Sequence, residues 1–170
     1  TVDKNNTTYH SAGNCLIETA SKTVILGCQN SIIPTDGSVT SIGSYAFYDC
    51  TGITEVVFPE GTIYVDDDTF AGCTNLKKIV FTSNLQSEGK SWMAMHVAAN
   101  LAQRGRKVVL VDADMRRSFL LQRYKVDIDG EVKGLAHYLT GQCTLEEAMY
   151  ETNMKDACII PAGRDVSNPV

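Results

Sequence analysis

Apolar residues recur along this chain in two rhythms. Up to about residue 81 they come in short bursts, such as Cys15-Leu-Ile17, Val24-Ile-Leu26, Val56-Val-Phe58 and Ile79-Val-Phe81, separated by Thr, Ser, Gly, Asn and Asp. Bursts of β-branched and aromatic residues bounded by turn formers predict short strands. The pattern places strands over Asn14–Glu18 and Thr23–Leu26, joined by a turn near Thr19–Lys22, and a third over Ser31–Pro34. After Ser91 the rhythm lengthens. Met95, Ala98, Ala99, Leu101 and Ala102 share the broad apolar face of a helix. Arg104-Gly105, a cation followed by a glycine, predicts its end. The continuous apolar run in Lys107-Val-Val-Leu-Val111 is then expected to be a buried parallel strand.

The first rhythm is also an internal repeat. Aligning Ser41–Phe58 with Tyr64–Phe81 matches Ile42 with Val65, Phe47 with Phe70, Cys50 with Cys73 and Ile53 with Leu76, at a period of 23 residues. Val56-Val-Phe58 then matches Ile79-Val-Phe81. Each unit predicts a short strand, a small turn carrying A/T-F-x-x-C, and another strand. One such unit cannot bury its apolar face alone, so neighbours must stack. The acidic run Asp66-Asp67-Asp68 lacks the spaced ligands and loop glycine of a calcium site and reads as a solvated turn.

These units resemble the leucine-rich repeats of the BspA type, over about residues 9–81. The resemblance implies a β-rich repeat that binds proteins or adheres to surfaces, with no catalytic role and with the cell surface as its setting.

The second half opens on Lys78-Ile-Val-Phe-Thr-Ser-Asn-Leu-Gln-Ser-Glu-Gly-Lys-Ser91. A short strand, a polar loop and Gly89-Lys90-Ser91 at the start of a helix make the layout of a phosphate-binding loop. Helix-terminal amides face an anion, a lysine adds a point charge, and a serine hydroxyl suits Mg²⁺. Asn84 stands where the pattern G-x-x-x-x-G-K-[ST] has its first glycine. Strand, loop, helix and strand form a βαβ unit. Asp112 and Asp114 follow its second strand, where ligands bind in open α/β sheets. Either carboxylate also suits a helix cap or an exposed surface.

From Lys78 to the end, these motifs resemble the cytoplasmic domain of bacterial tyrosine kinases that regulate capsule and exopolysaccharide synthesis. Glu88-Gly-Lys-Ser91, Ala98-Ala-Asn-Leu-Ala102 and Lys107-Val-Val-Leu-Val-Asp-Ala-Asp-Met-Arg-Arg117 carry the resemblance. Gly134-Leu135, Leu139-Thr-Gly141, Leu145-Glu-Glu-Ala148, Pro161-Ala-Gly163 and Asn168-Pro169 extend it. The wider MinD/ParA ATPases have a second lysine early in the loop, where this chain has Leu85. The resemblance implies that Lys90 binds the β- and γ-phosphates of ATP and that amides from Ser87, Glu88, Gly89, Lys90 and Ser91 cradle them. It also implies that Ser91 ligates Mg²⁺, with Asp112 and Asp114 as the second acidic motif. The family's Walker B strand and tyrosine-rich tail have no counterpart in these residues, so incomplete phosphotransfer is expected. Tyr124, Tyr138 and Tyr150 are expected to be packing residues. The implied setting is cytoplasmic, at the membrane through a protein partner.

The expected architecture is therefore a β-rich repeat region over 1–78 followed by a truncated P-loop α/β domain over 79–170, two partial domains joined. Both have a claim on Lys77–Thr82, as the last repeat strand and as the first strand of the kinase sheet. Composition adds exclusions. A net charge of −5 argues against sequence-independent nucleic-acid binding. The chain has no apolar run long enough for a membrane span. It starts at threonine without a signal peptide, as expected of a fragment or processed product. The six cysteines form no C-x-x-C and are expected to be small core residues.

Overall fold

A hairpin starts the fold of this computed structural model, which describes residues 1–62, 64–66, 68–82, 89–114 and 132–163. Strand β1 (Tyr9–Ala12) pairs antiparallel with β2 (Cys15–Glu18), with Ala12 opposite Cys15. The two-residue turn Gly13-Asn14 has φ of 56° and 58°. Two left-handed residues match the twist of the flanking strands, which is why Gly and Asn recur there. Strand β3 (Thr23–Leu26) continues the antiparallel run against β2. The second and third strands are those read from the sequence.

Ser31–Pro34 forms no strand, against expectation. Ile32 donates one backbone bond to the Gly13 carbonyl at 2.8 Å, and Ser31 closes a turn on Cys28. Proline has no N–H to extend a ladder. Ile33 is nevertheless buried, so the segment contributes packing without pairing.

The repeat behaves as its period requires. Strand β4 (Ser41–Ile42) pairs parallel with β3, and β6 (Tyr64–Val65) pairs parallel with β4, completing a sheet ordered β1-β2-β3-β4-β6. Strands β5 (Glu55–Phe58) and β7 (Lys78–Phe81) form a second, two-stranded parallel sheet. Ile42, Val65, Phe47, Phe70, Cys50, Cys73, Ile53 and Leu76 are all buried. Phe47 stacks on Phe70 at 5.6 Å, Phe70 meets the edge of Phe58 at 5.9 Å, and Phe58 stacks on Phe81 at 4.6 Å. This aromatic row is the core of the repeat.

The strand with two claims on it is paired with the repeat. Val56 lies opposite Ile79 and Phe58 opposite Phe81, while Lys78 Nζ meets Glu55 Oε1 at 2.7 Å. Among the described residues, β8 (Val108–Val111) pairs with β10 (Ala157–Ile160) instead. The βαβ unit expected within one sheet is thus corrected. The 23-residue repeat gives β7 a partner of matching shape, ring against ring, before the chain reaches the helix.

Helix α1 (Lys90–Gln103) ends as read. Gly105 has φ of 77°, its N–H bonds to Ala102, and the Arg106 N–H reaches back to Leu101. That double bond around a left-handed glycine is a Schellman cap. Arg104 lies just past the last helical residue, its guanidinium on the Asn100 side chain. The buried stripe differs from the expected face: Met93, Val97 and Ala102 are buried, while Met95, Ala98, Ala99 and Leu101 are half-buried.

Strand β8 is parallel to β10, as expected, but it is not fully buried: Val109 and Val111 are 49% and 46% exposed. Strand β9 (Tyr150–Glu151) completes the sheet β8-β10-β9, antiparallel to β10, and the short helix α2 (Leu135–Leu139) precedes it. The chain divides into two compact units, Thr1–Met93 and Ala94–Val170. None of the described helices is long and apolar enough to cross a membrane.

Candidate functional site

Gly89 leads into α1 with φ of 83°, and its carbonyl accepts the Met93 N–H at 2.9 Å. A Cβ at Gly89 would meet only open space, so the backbone conformation rather than crowding selects glycine. Lys90 and Ser91 are the first two helical residues, both half-buried. The first turn of α1 contains no acidic residue. The leading amides of a helix have no carbonyl one turn earlier and sit at the positive end of its dipole. This terminus therefore suits an anion. Ser87 and Glu88 lie outside the described residues, as do Asn84, Leu85, Tyr124 and Asn168-Pro169.

The second group sits at the end of β8. The Asp112 N–H donates to the Ile160 carbonyl at 2.9 Å, extending the parallel ladder by one bond. Its side chain is buried, at 9% exposure, and Oδ1 accepts the Asp114 N–H at 3.0 Å. The two acids spaced by one residue are thus brought together: one carboxylate turned inward, holding the amide of the exposed other. Surface placement, one alternative for Asp112, does not describe it. Asp112 and Asp114 belong to one compact unit, and Lys90 and Ser91 to the other.

Two further motifs meet at the same end of the sheet as Asp112. Leu135 donates its N–H to the Pro161 carbonyl at 2.7 Å, and Ala136 to Ala162 at 2.9 Å. Gly134 lies so close that an added Cβ would come within 2.4 Å of the Pro161 oxygen and 2.5 Å of the Gly163 nitrogen. Only glycine fits. The Gly134 N–H also meets His137 Nδ1 at 3.1 Å. Gly134-Leu135 and Pro161-Ala-Gly163, distant in sequence, therefore form one backbone junction beside the β8 terminus.

Sequence reasoning missed the small polar network behind that junction. Tyr150 Oη accepts the Lys133 N–H at 3.0 Å and donates to the Lys133 carbonyl at 3.1 Å. Lys133 Nζ meets Glu147 Oε1 at 2.8 Å. The other Glu147 oxygen accepts the Thr144 N–H, and the Thr144 hydroxyl accepts the Glu147 N–H. Glu147 is held below the ordinary carboxylate range by the Lys133 side chain first and the Thr144 amide second. Lys133 is raised by that same contact. The spacing Thr144-x-x-Glu147 was the available signal, since it is a capping-box pattern. Tyr150 is half-buried, and Tyr138 is exposed.

Comparison with known proteins gives the class of each half of the chain. This chain belongs to the AAA-domain family, whose model, described as an AAA domain, matches residues 76–169. A second family model, described as a BspA type leucine rich repeat region (6 copies), matches residues 17–96. The two matches overlap across β7 and the start of α1.

Among individual proteins, the tyrosine-protein kinase CpsD of Streptococcus agalactiae is 38% identical over 100 residues, covering 59% of this chain and 42% of that protein. The tyrosine-protein kinase YwqD of Bacillus subtilis (strain 168) is 31% identical over 94 residues, covering 55% and 38%. The solved kinase domain of VpsO is 34% identical with a TM-score of 0.46, covering 52% of this chain and 42% of that one. The chain thus spans less than half the length of these relatives.

Proposed function

We propose that residues 79–170 are a Mg-ATP-binding domain of the bacterial tyrosine-kinase type, preceded by a protein-binding repeat over 1–78. The observation that carries this reading is the start of α1, where Gly89-Lys90-Ser91 combines a left-handed glycine, a lysine and a hydroxyl in a first turn free of acids. The donors at this helix start fit a magnesium nucleotide: a lysine for phosphate oxygens and a hydroxyl for a hard cation.

In this reading Lys90 binds the β- and γ-phosphates, and the amides of Ser87, Glu88, Gly89, Lys90 and Ser91 cradle them. Ser91 and Asp112 would hold Mg²⁺, which neutralises phosphate charge when bound. Asp114 sits beside Asp112 to orient an acceptor hydroxyl. In this reading the cation arrives with the nucleotide. Regulation of exopolysaccharide synthesis, in the cytoplasm and at the membrane through a partner, follows from the same resemblance.

Calorimetric titration of Mg-ATP into the full chain tests the site. Saturable, Mg²⁺-dependent binding is expected. Lys90→Ala should weaken it by about 1.5–3 kcal/mol, the worth of a charge-assisted contact. Absence of binding by a folded wild-type chain would overturn the reading. A second reading, a binding module without nucleotide chemistry, is favoured by Tyr45, Tyr48 and Tyr64, each more than half exposed on the repeat.

A further inference from the structure

Between Lys22 and Lys77 the chain carries seven Asp and Glu residues and no Lys, Arg or His. This stretch is most of the stacked repeat, and its surface also exposes aromatic rings. Tyr45, Tyr48 and Tyr64 are each more than half exposed. Tyr45 and Tyr48 meet edge to face, with ring centroids 5.8 Å apart. The Tyr64 hydroxyl donates to Asp66 Oδ2 at 3.3 Å, and the same oxygen accepts the Ser44 hydroxyl at 2.5 Å. Ser44 immediately precedes Tyr45, so Asp66 ties the third tyrosine to the first two.

Stacking of the units does not call for rings at these places. One period after Tyr45 and Tyr48 stand Asp68 and Ala71, and one period before Tyr64 stands Ser41. The buried positions, by contrast, match in kind: Phe47 with Phe70 and Cys50 with Cys73. Tyr45 also holds a φ of 58°, which Gly or Asn adopts with less strain. Exposed tyrosines without a packing duty are the material of a binding hot spot. A carboxylate has about four acceptor sites, more than the two hydroxyls on Asp66 fill. Guanidinium suits both features: it stacks on tyrosine faces and bonds carboxylates through paired N–H groups.

We propose that this surface of the repeat docks an arginine-rich segment of a partner protein. Its guanidinium groups lie on Tyr45, Tyr48 and Tyr64 and against the Asp66 carboxylate. The proposal rests on the reading of the repeat as protein-binding, and it names the chemistry of the partner. The acidic stretch, with no cation of its own between Lys22 and Lys77, draws the segment in. The rings then hold it.

The test titrates the full chain into a labelled peptide of repeated Gly-Ser-Arg triplets and follows fluorescence anisotropy. Saturable binding is expected, weakening as salt is added. A twin peptide with Lys in place of Arg should bind at least about threefold more weakly, and one with Glu should not bind. The double substitution Tyr45→Asn, Tyr48→Ser should weaken binding at least about tenfold; asparagine accepts the left-handed backbone of Tyr45. Asp66→Asn should weaken it about threefold or more. Glu55→Gln, which removes the same charge from β5 in the other sheet, should change it less than about twofold. As large a loss with Glu55→Gln as with the tyrosine variant would overturn the proposal. So would full-strength binding by both the tyrosine and the Asp66 variants. A second copy of the chain on these tyrosines, seen as self-association in sedimentation that the double variant loses, would overturn it too. An array of peptides of mixed composition, probed with the same chain, separates the proposal from the reading it rests on. Preferred capture of neutral or acidic peptides would overturn the arginine partner and leave the protein-binding repeat standing. Capture of none would overturn both.

Discussion

Gly134 is a position where one added carbon decides the packing, because its Cα faces the Pro161 carbonyl and the Gly163 nitrogen at backbone distance. Backbone cannot swing aside as a side-chain tip can. Gly134→Ala should therefore cost about 1–3 kcal/mol, as overpacking does, seen as a lower denaturant midpoint with an unchanged slope. Single residues also set the pH response. Burial raises the thiols of Cys15 and Cys50 above the ordinary 9.0. A raised pKa contributes stability that is whole below the unfolded value and is lost as pH rises through the folded one. Thermal midpoints should thus fall as pH climbs past about 9, and a midpoint flat to pH 10 would contradict it. Sequence could place Asp112 and Asp114 after a strand. It could not show Asp112 turning in to accept the Asp114 amide, because that bond depends on the turn and not on residue type.

The strand pair β5–β7 separates strong from weak contributions. Phe58 is 1% exposed, with Phe81 stacked on it and Phe70 at its edge. Phe58→Ala should cost about 3–5 kcal/mol. The Lys78–Glu55 pair crosses the same strands with side chains 61% and 47% exposed. Lys78→Ala should cost less than about 1 kcal/mol, and urea titration of both variants would rank them. The repeat elements were legible because a 23-residue alignment marks each buried position twice. Strands β1, β9 and β10 and helix α2 were not, since two to five residues cannot display a period. For β1 the turn pair Gly13-Asn14 was the missed signal. The open choice over β7 has another origin: Ile79-Val-Phe81 suits either core, and only a partner offering Phe58 decides between them.

At the scale of the molecule, charge gives the clearest expectation. A net charge of −5 disfavours the counterion release that drives sequence-independent binding to a duplex. The chain should not retard double-stranded DNA in a gel at ordinary salt, and a shift there would refute that exclusion. Solubility should pass through its minimum near the isoelectric point of about 5.1.

The constant offset of the parallel rungs has a further consequence. Ser41 faces Tyr64 and Glu55 faces Lys78, the same 23 residues apart. Duplicating one whole unit in the gene would lengthen the stack by a rung and present the same surface to whatever follows. An insertion of any other length inside the stack would throw every later strand out of step. Copy number is thus a quantity that unequal recombination can change in whole steps, while the segment after Phe81 always meets the same last rung.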